Sequence, residues 1–131
     1  MNLSITFFRK SACLSGALAV VLGAFAAHSL KHVLSEYETS IWQTAVFYQF
    51  IHTLLLLFVS FNPQFSAAHL QKTCRNLCLM LVIGIILFSG SLYLIALTGV
   101  TKLGMITPIG GTLFIASWLY LLKLTSVNNT L

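Results

Sequence analysis

The chain has 131 residues, 58% of them hydrophobic and 7% charged, and its seven basic and two acidic side chains give a formal charge of +5. A soluble domain carries about 25% charged residues, and one of about 150 residues still leaves roughly 30% of its surface in water, so lipid is the solvent that suits this chain. The composition excludes a disordered tail, a secreted disulfide scaffold and an ordinary soluble enzyme, and the scattered cations form no nucleic-acid-binding face.

A membrane-spanning helix needs about 20 apolar residues, so this length admits four spans at most and leaves no room for a soluble domain. The first apolar run, residues 11–30, follows Arg9 and Lys10 and ends before Lys31. Its Ala24-Phe25-Ala26 imitates a signal-peptide cleavage site, but the run is longer than a signal core and continues through that site, so a retained span is expected. Ser11-Ala12-Cys13 falls short of a lipoprotein box because no apolar region precedes it. Within the run, Ala12, Gly16, Ala19, Gly23 and Ala26 place small residues on one stripe, where a second helix can approach closely. That stripe suits packing within the chain; the alternative is a homo-oligomer joined through Gly16 and Gly23.

Residues 33–40, with Glu36, Tyr37 and Glu38, read as an interfacial turn leading into Trp42. The second run, 41–61, is closed by the turn signal Asn62-Pro63. In it Thr44, Tyr48 and His52 recur every four residues with Gln49 beside them, all within an arc of roughly 140°. Unsatisfied polar groups in hydrocarbon cost several kcal/mol, so this stripe should face protein or water.

The third run, 76–98, follows Lys72 and Arg75 and is followed by Gly99. It offers Ser89 and Tyr93 on one face and Ser91 on another. The fourth, 106–122, opens on Thr107-Pro108, which suits an N-cap and a first-turn proline. One turn inside it, Gly110 and Gly111 loosen the helix or admit another backbone. Trp42, Trp118 and Tyr120 fall near span ends, where amphipathic rings prefer to sit. The Asn128-Asn129-Thr130 sequon falls in a tail expected to be cytoplasmic.

Short connections make sequential spans antiparallel. The expected fold is therefore all-α, a single-domain integral membrane four-helix bundle with up-down-up-down topology. Counting cations, Arg9, Lys10, Lys72, Arg75 and Lys123 lie on one side and Lys31 and Lys102 on the other, which favours cytoplasmic termini.

Depth tests the sharper chemistries. His28 and His52 differ by about 13 Å along the axis, at 1.5 Å per residue, so they make a poor axial pair for one haem iron. A proton-coupled drug antiporter wants an acid inside a helix, and both acids lie in the first outer loop. Cys13, Cys74 and Cys78 form neither a disulfide framework nor a zinc spacing. No metal and no cofactor are expected.

The strings Gly23-Ala24-Phe25-Ala26-Ala27-His28, Trp42-Gln43-Thr44-Ala45-Val46 with Tyr48, Gln49 and His52, Phe88-Ser89-Gly90-Ser91-Leu92-Tyr93, and Ile106-Thr107-Pro108-Ile109-Gly110-Gly111 with Trp118 resemble one family. It is the YgdD/YwdK-like group of small bacterial inner-membrane proteins, domain of unknown function 423. The resemblance covers about residues 14–122 in order. Ala26 departs from it, standing where the family usually has glycine. The resemblance implies a four-span inner-membrane protein and no enzyme activity. The leading expectation is a structural or interaction role, with the polar residues as inter-helix packing. The alternative is a carrier or receptor for a small neutral or weakly anionic molecule in a pocket centred on His52.

Overall fold

The computed structural model describes residues 4–63 and 68–127, and of residues 123–127 the backbone alone. The described residues form four long helices: α1 (Ile5–His28), α2 (Glu36–Phe61), α3 (Gln71–Thr98) and α4 (Thr107–Val127). A short 3-10 turn, Thr101–Met105, precedes α4, and the described residues contain no strand. All four helices are long and apolar enough to cross a hydrocarbon core. Their outward residues agree with lipid as the solvent: Leu14, Val20, Phe47, Ile86 and Leu119 are among many large apolar side chains left exposed.

The helices outrun the apolar runs that mark them. α1 begins at Ile5, so Arg9 and Lys10 are helical; its cap is Ser4, whose hydroxyl accepts from the Phe7 N–H. α2 begins at Glu36, and the expected interfacial turn over 33–40 is in large part its first turn. The reason is a capping box: Ser35 Oγ accepts from the Glu38 N–H while the Glu38 carboxylate accepts from the Ser35 N–H at 2.8 Å. α3 begins at Gln71, which makes Lys72 and Arg75 helical as well. Polar residues do not stop a helix that leaves the hydrocarbon, because long cationic stems lie along its surface with their heads in water. α3 stops where Gly99 adopts φ +69°, a left-handed C-cap that glycine takes without steric cost.

Contacts between neighbours run in opposite directions along successive helices, which fixes the antiparallel order. Ser15 meets Thr53 while Leu22 meets Trp42 on α1 and α2. Gly84 meets Phe114 while Phe88 meets Gly110 on α3 and α4. α1 lies chiefly on α2, and α4 chiefly on α3, with α2 and α3 as the central pair. The start of α1 and the end of α4 are thus at the same face of the bundle. Lys123, the 128–130 sequon and the C-terminal residue lie outside the described side chains.

The small-residue stripe of α1 faces α2. Ala12 and Ala19 are fully buried, a Cβ on Gly16 would meet Thr53 at 3.6 Å, and one on Gly23 would meet Val46 at 3.4 Å. The stripe is therefore packed against α2 within the chain, with Gly16 and Gly23 half-buried in that contact. Two apolar clusters complete the core. The lower joins Phe8, Leu56, Val59, Cys74, Leu77 and Leu81. The upper joins Ala26, Leu30, Trp42 and Ala96, so the Ala26 methyl is packed against neighbours.

Candidate functional site

Between the two clusters lies a layer of buried polar side chains, supplied mostly by α2. The sequence places Thr44, Tyr48, Gln49 and His52 on one arc, but the fold divides them between two sides of α2. Gln49, 5% exposed, turns to α1 and α3. Its amide nitrogen donates to the Ser15 carbonyl at 2.9 Å, and its Oε1 accepts from the Tyr93 hydroxyl at 2.8 Å. Ser15 Oγ in turn shares a 2.7 Å hydrogen bond with Thr53. One amide thus ties three helices together.

His52, 4% exposed, turns instead to α4. Trp118 Nε1 lies 3.2 Å from His52 Nε2, and His52 Nδ1 lies 2.8 Å from the Tyr48 carbonyl. An indole nitrogen only donates, so Nε2 must be the acceptor and the ring proton sits on Nδ1, donating to Tyr48. That leaves a neutral imidazole with both nitrogens engaged. The Phe114 ring covers one face, stacked at 3.5 Å between centroids and 9° between planes. Tyr48 packs alongside, tilted on Phe88 at 4.5 Å. Its aromatic body, 38% exposed, contributes ring contact where a polar site residue is expected.

The remaining expected site residues are distributed rather than convergent. Thr44 is exposed, and its hydroxyl bonds the Ser40 carbonyl of its own helix at 3.0 Å. Ser89 crosses to the Ala45 carbonyl of α2 at 2.8 Å. Ser91 faces α4, where it meets Thr107 Oγ1 at 2.7 Å and also donates to Phe88. Thr107 is the first helical residue of α4, so its hydroxyl joins two helices where an N-cap is expected. Pro108 does occupy the first turn, and its carbonyl accepts from Thr112. Gly111 makes ordinary contact with the Phe88 ring, whereas Gly110 lies against the Phe88 backbone. His28 is exposed in the last turn of α1, in a different layer from His52.

One aromatic assignment is corrected. Trp42 is no interfacial anchor: it is 3% exposed and donates to the Leu22 carbonyl at 2.9 Å. Trp118, four residues before Leu122 where the candidate span ends, serves as the donor to His52. Sequence reasoning missed Ser15, Thr53 and Phe114, since nothing in one helix names the groups opposite it. The described cysteines are free, with Cys74 and Cys78 buried in the lower cluster. Among the described residues, three or more metal-ligating side chains nowhere converge.

Comparisons with known proteins place the chain in a family. A family model described as "Protein of unknown function (DUF423)" matches residues 22–111. A UPF0382 membrane protein of Haemophilus influenzae is 44% identical over 108 residues, covering 82% of this chain and 84% of that protein. The UPF0382 membrane protein YwdK of Bacillus subtilis is 39% identical, with 81% and 85% covered. The UPF0382 inner membrane protein YgdD of Escherichia coli is 36% identical, with 85% and 82% covered. No solved structure matches. With these relatives aligned over most of both chains, the four-helix protein belongs to the DUF423 family of multi-pass membrane proteins, whose biochemical role is unknown.

Proposed function

We propose that this protein is a non-catalytic structural or interaction module of the bacterial inner membrane, in which the buried polar side chains serve helix–helix packing. One observation carries the reading. Among the described residues, every buried side-chain nitrogen and oxygen has a hydrogen-bond partner within the protein. A catalytic or solute-binding site presents groups aimed at something absent, and in this layer the amide, imidazole and hydroxyls already hold one another. The same geometry speaks against a carrier pocket centred on His52, whose ring nitrogens are both occupied and whose face Phe114 covers.

Double-mutant cycles in detergent micelles test the reading. Gln49→Leu with Tyr93→Phe, and His52→Leu with Trp118→Phe, should each show coupling of about 0.5–1.5 kcal/mol, the range for polar contacts between membrane helices. Zero coupling with unchanged unfolding midpoints would sink the packing role.

The reading places both termini in the cytoplasm. Arg9, Lys10, Lys72 and Arg75 lie towards one face of the bundle, while Lys31, Lys102, Glu36 and Glu38 lie towards the other. A reporter fused after Leu131 should be active as a cytoplasmic fusion. Activity restricted to an extracytoplasmic reporter would reverse the orientation.

A further inference from the structure

An open cleft of about 480 Å³ runs between α1 and α3, with Gln49 and Leu56 of α2 in its floor. Leu14, Leu18 and Leu22 form one wall, and Ile85, Ile86 and Gly90 the other. On α1 it extends from Phe7 to Leu22, about 22 Å along the helix at 1.5 Å per residue. Its polar groups are engaged with each other, as the Ser15, Gln49 and Tyr93 bonds record, so it offers hydrocarbon surface and no vacant hydrogen-bond partner. Such a groove in a membrane-spanning protein is a place for a chain of methylenes.

Its lower end carries charge of one sign. Arg75 precedes Val82 of the cleft wall by seven residues, two helical turns, and so lies on the same face of α3. Lys72 lies one turn further along. On α1, Lys10 stands three residues after Phe7 and four before Leu14, beside the cleft face. Phe8, Val59 and Cys74 share one buried cluster, which puts Lys10 and Arg75 towards the same end of the bundle. Arg9 is engaged elsewhere, with Nε donating to the Ser60 carbonyl and the guanidinium over Phe61. The only two acids in the chain, Glu36 and Glu38, are at the opposite end.

We propose that this cleft seats one acyl chain of an anionic phospholipid, whose headgroup phosphate lies among Lys10, Lys72 and Arg75. Basic residues at a helix–helix groove level with the headgroups are the means by which membrane proteins select anionic lipids. The test is native mass spectrometry of the full-length protein with phosphatidylglycerol or phosphatidylcholine bearing identical palmitoyl and oleoyl chains. One phosphatidylglycerol should be retained at least tenfold more strongly than phosphatidylcholine. Lys10→Gln and Lys72→Gln, at exposed positions, should each reduce that preference about fivefold. Gly90→Leu should fold normally, because nothing lies within 4 Å of an added Cβ, and should abolish retention of both lipids by filling the groove. Equal retention of the two lipids by the natural protein, lysine variants with unchanged preference, or wild-type retention by a Gly90→Leu protein with a normal melt would each overturn the proposal.

Discussion

Gly110→Ala is expected to destabilise the bundle by about 2 kcal/mol or more, although alanine is the better helix former. A Cβ at Gly110 would land on the backbone nitrogen of Phe88 and come within 2.8 Å of its Cβ. Backbone atoms cannot rotate aside, so α3 and α4 would have to separate. Overpacking of this kind costs about 1–3 kcal/mol and sometimes more, against a propensity gain of at most about 1 kcal/mol. The contact is reciprocal, since a Cβ at Gly84 would meet the Phe114 ring at 2.8 Å. Gly84→Ala should cost less, about 1 kcal/mol, because a ring can shift; the shift would also disturb the stack on His52. Gly111→Ala is the control. Its Cβ would sit 3.6 Å from the Phe88 ring, an ordinary contact, so stability should hold or rise by about 0.5–1 kcal/mol. Unfolding followed by circular dichroism in detergent reads all three. A Gly110→Ala protein as stable as Gly111→Ala would mean that the two helices do not cross at that point.

These glycines show which part of the fold can be read from the sequence. The number of spans, their order and their antiparallel run follow from apolar length and short connections, since hydrocarbon tolerates little else. Gly110 and Gly111 are equally visible as small residues inside a span. Only the side facing Phe88 makes one of them irreplaceable, and that depends on which helix arrives and at what angle. The helix ends were legible in part. Ser35-Glu36-Tyr37-Glu38 is a capping-box pattern, but its acids suggest a solvated turn, whereas the structure makes them the first turn of α2.

The polar layer divides in the same way. Helical spacing places Thr44, Tyr48, Gln49 and His52 within one arc, but only Gln49 and His52 are buried against other helices, while Tyr48 is partly exposed and Thr44 is exposed. An arc of that width, however, spans the contacts of α2 with both α1 and α4. The roughly 60° between Gln49 and His52 is enough to send the amide to Ser15 and Tyr93 while the imidazole reaches Trp118. One helix's periodicity cannot separate a site from two seams. The neighbours decide it.

Trp42→Ala should have the larger effect, about 3 kcal/mol. Truncating a buried tryptophan typically costs about 3–5 kcal/mol. The lower end of that range applies because lipid solvates the unfolded reference, leaving packing and the cavity as the main losses. Trp42 is 3% exposed, lies edge-on to Tyr93 at 4.7 Å between ring centroids, and packs with Ala26, Leu30 and Ala96. It closes the upper end of the α1–α2–α3 contact, and it alone in that cluster donates to another helix's backbone, at Leu22. Trp42→Phe keeps most of the ring and removes that donor, so a loss of about 1 kcal/mol is expected. The chain has only two tryptophans, which makes the measurement direct. In a Trp118→Phe background, Trp42 is the sole indole reporter, and its emission should shift cooperatively with the helical signal as denaturant is added. A Trp42→Ala protein that unfolds at the wild-type midpoint would remove the upper cluster from the core. The same result would leave the Leu22 hydrogen bond without a stabilising role.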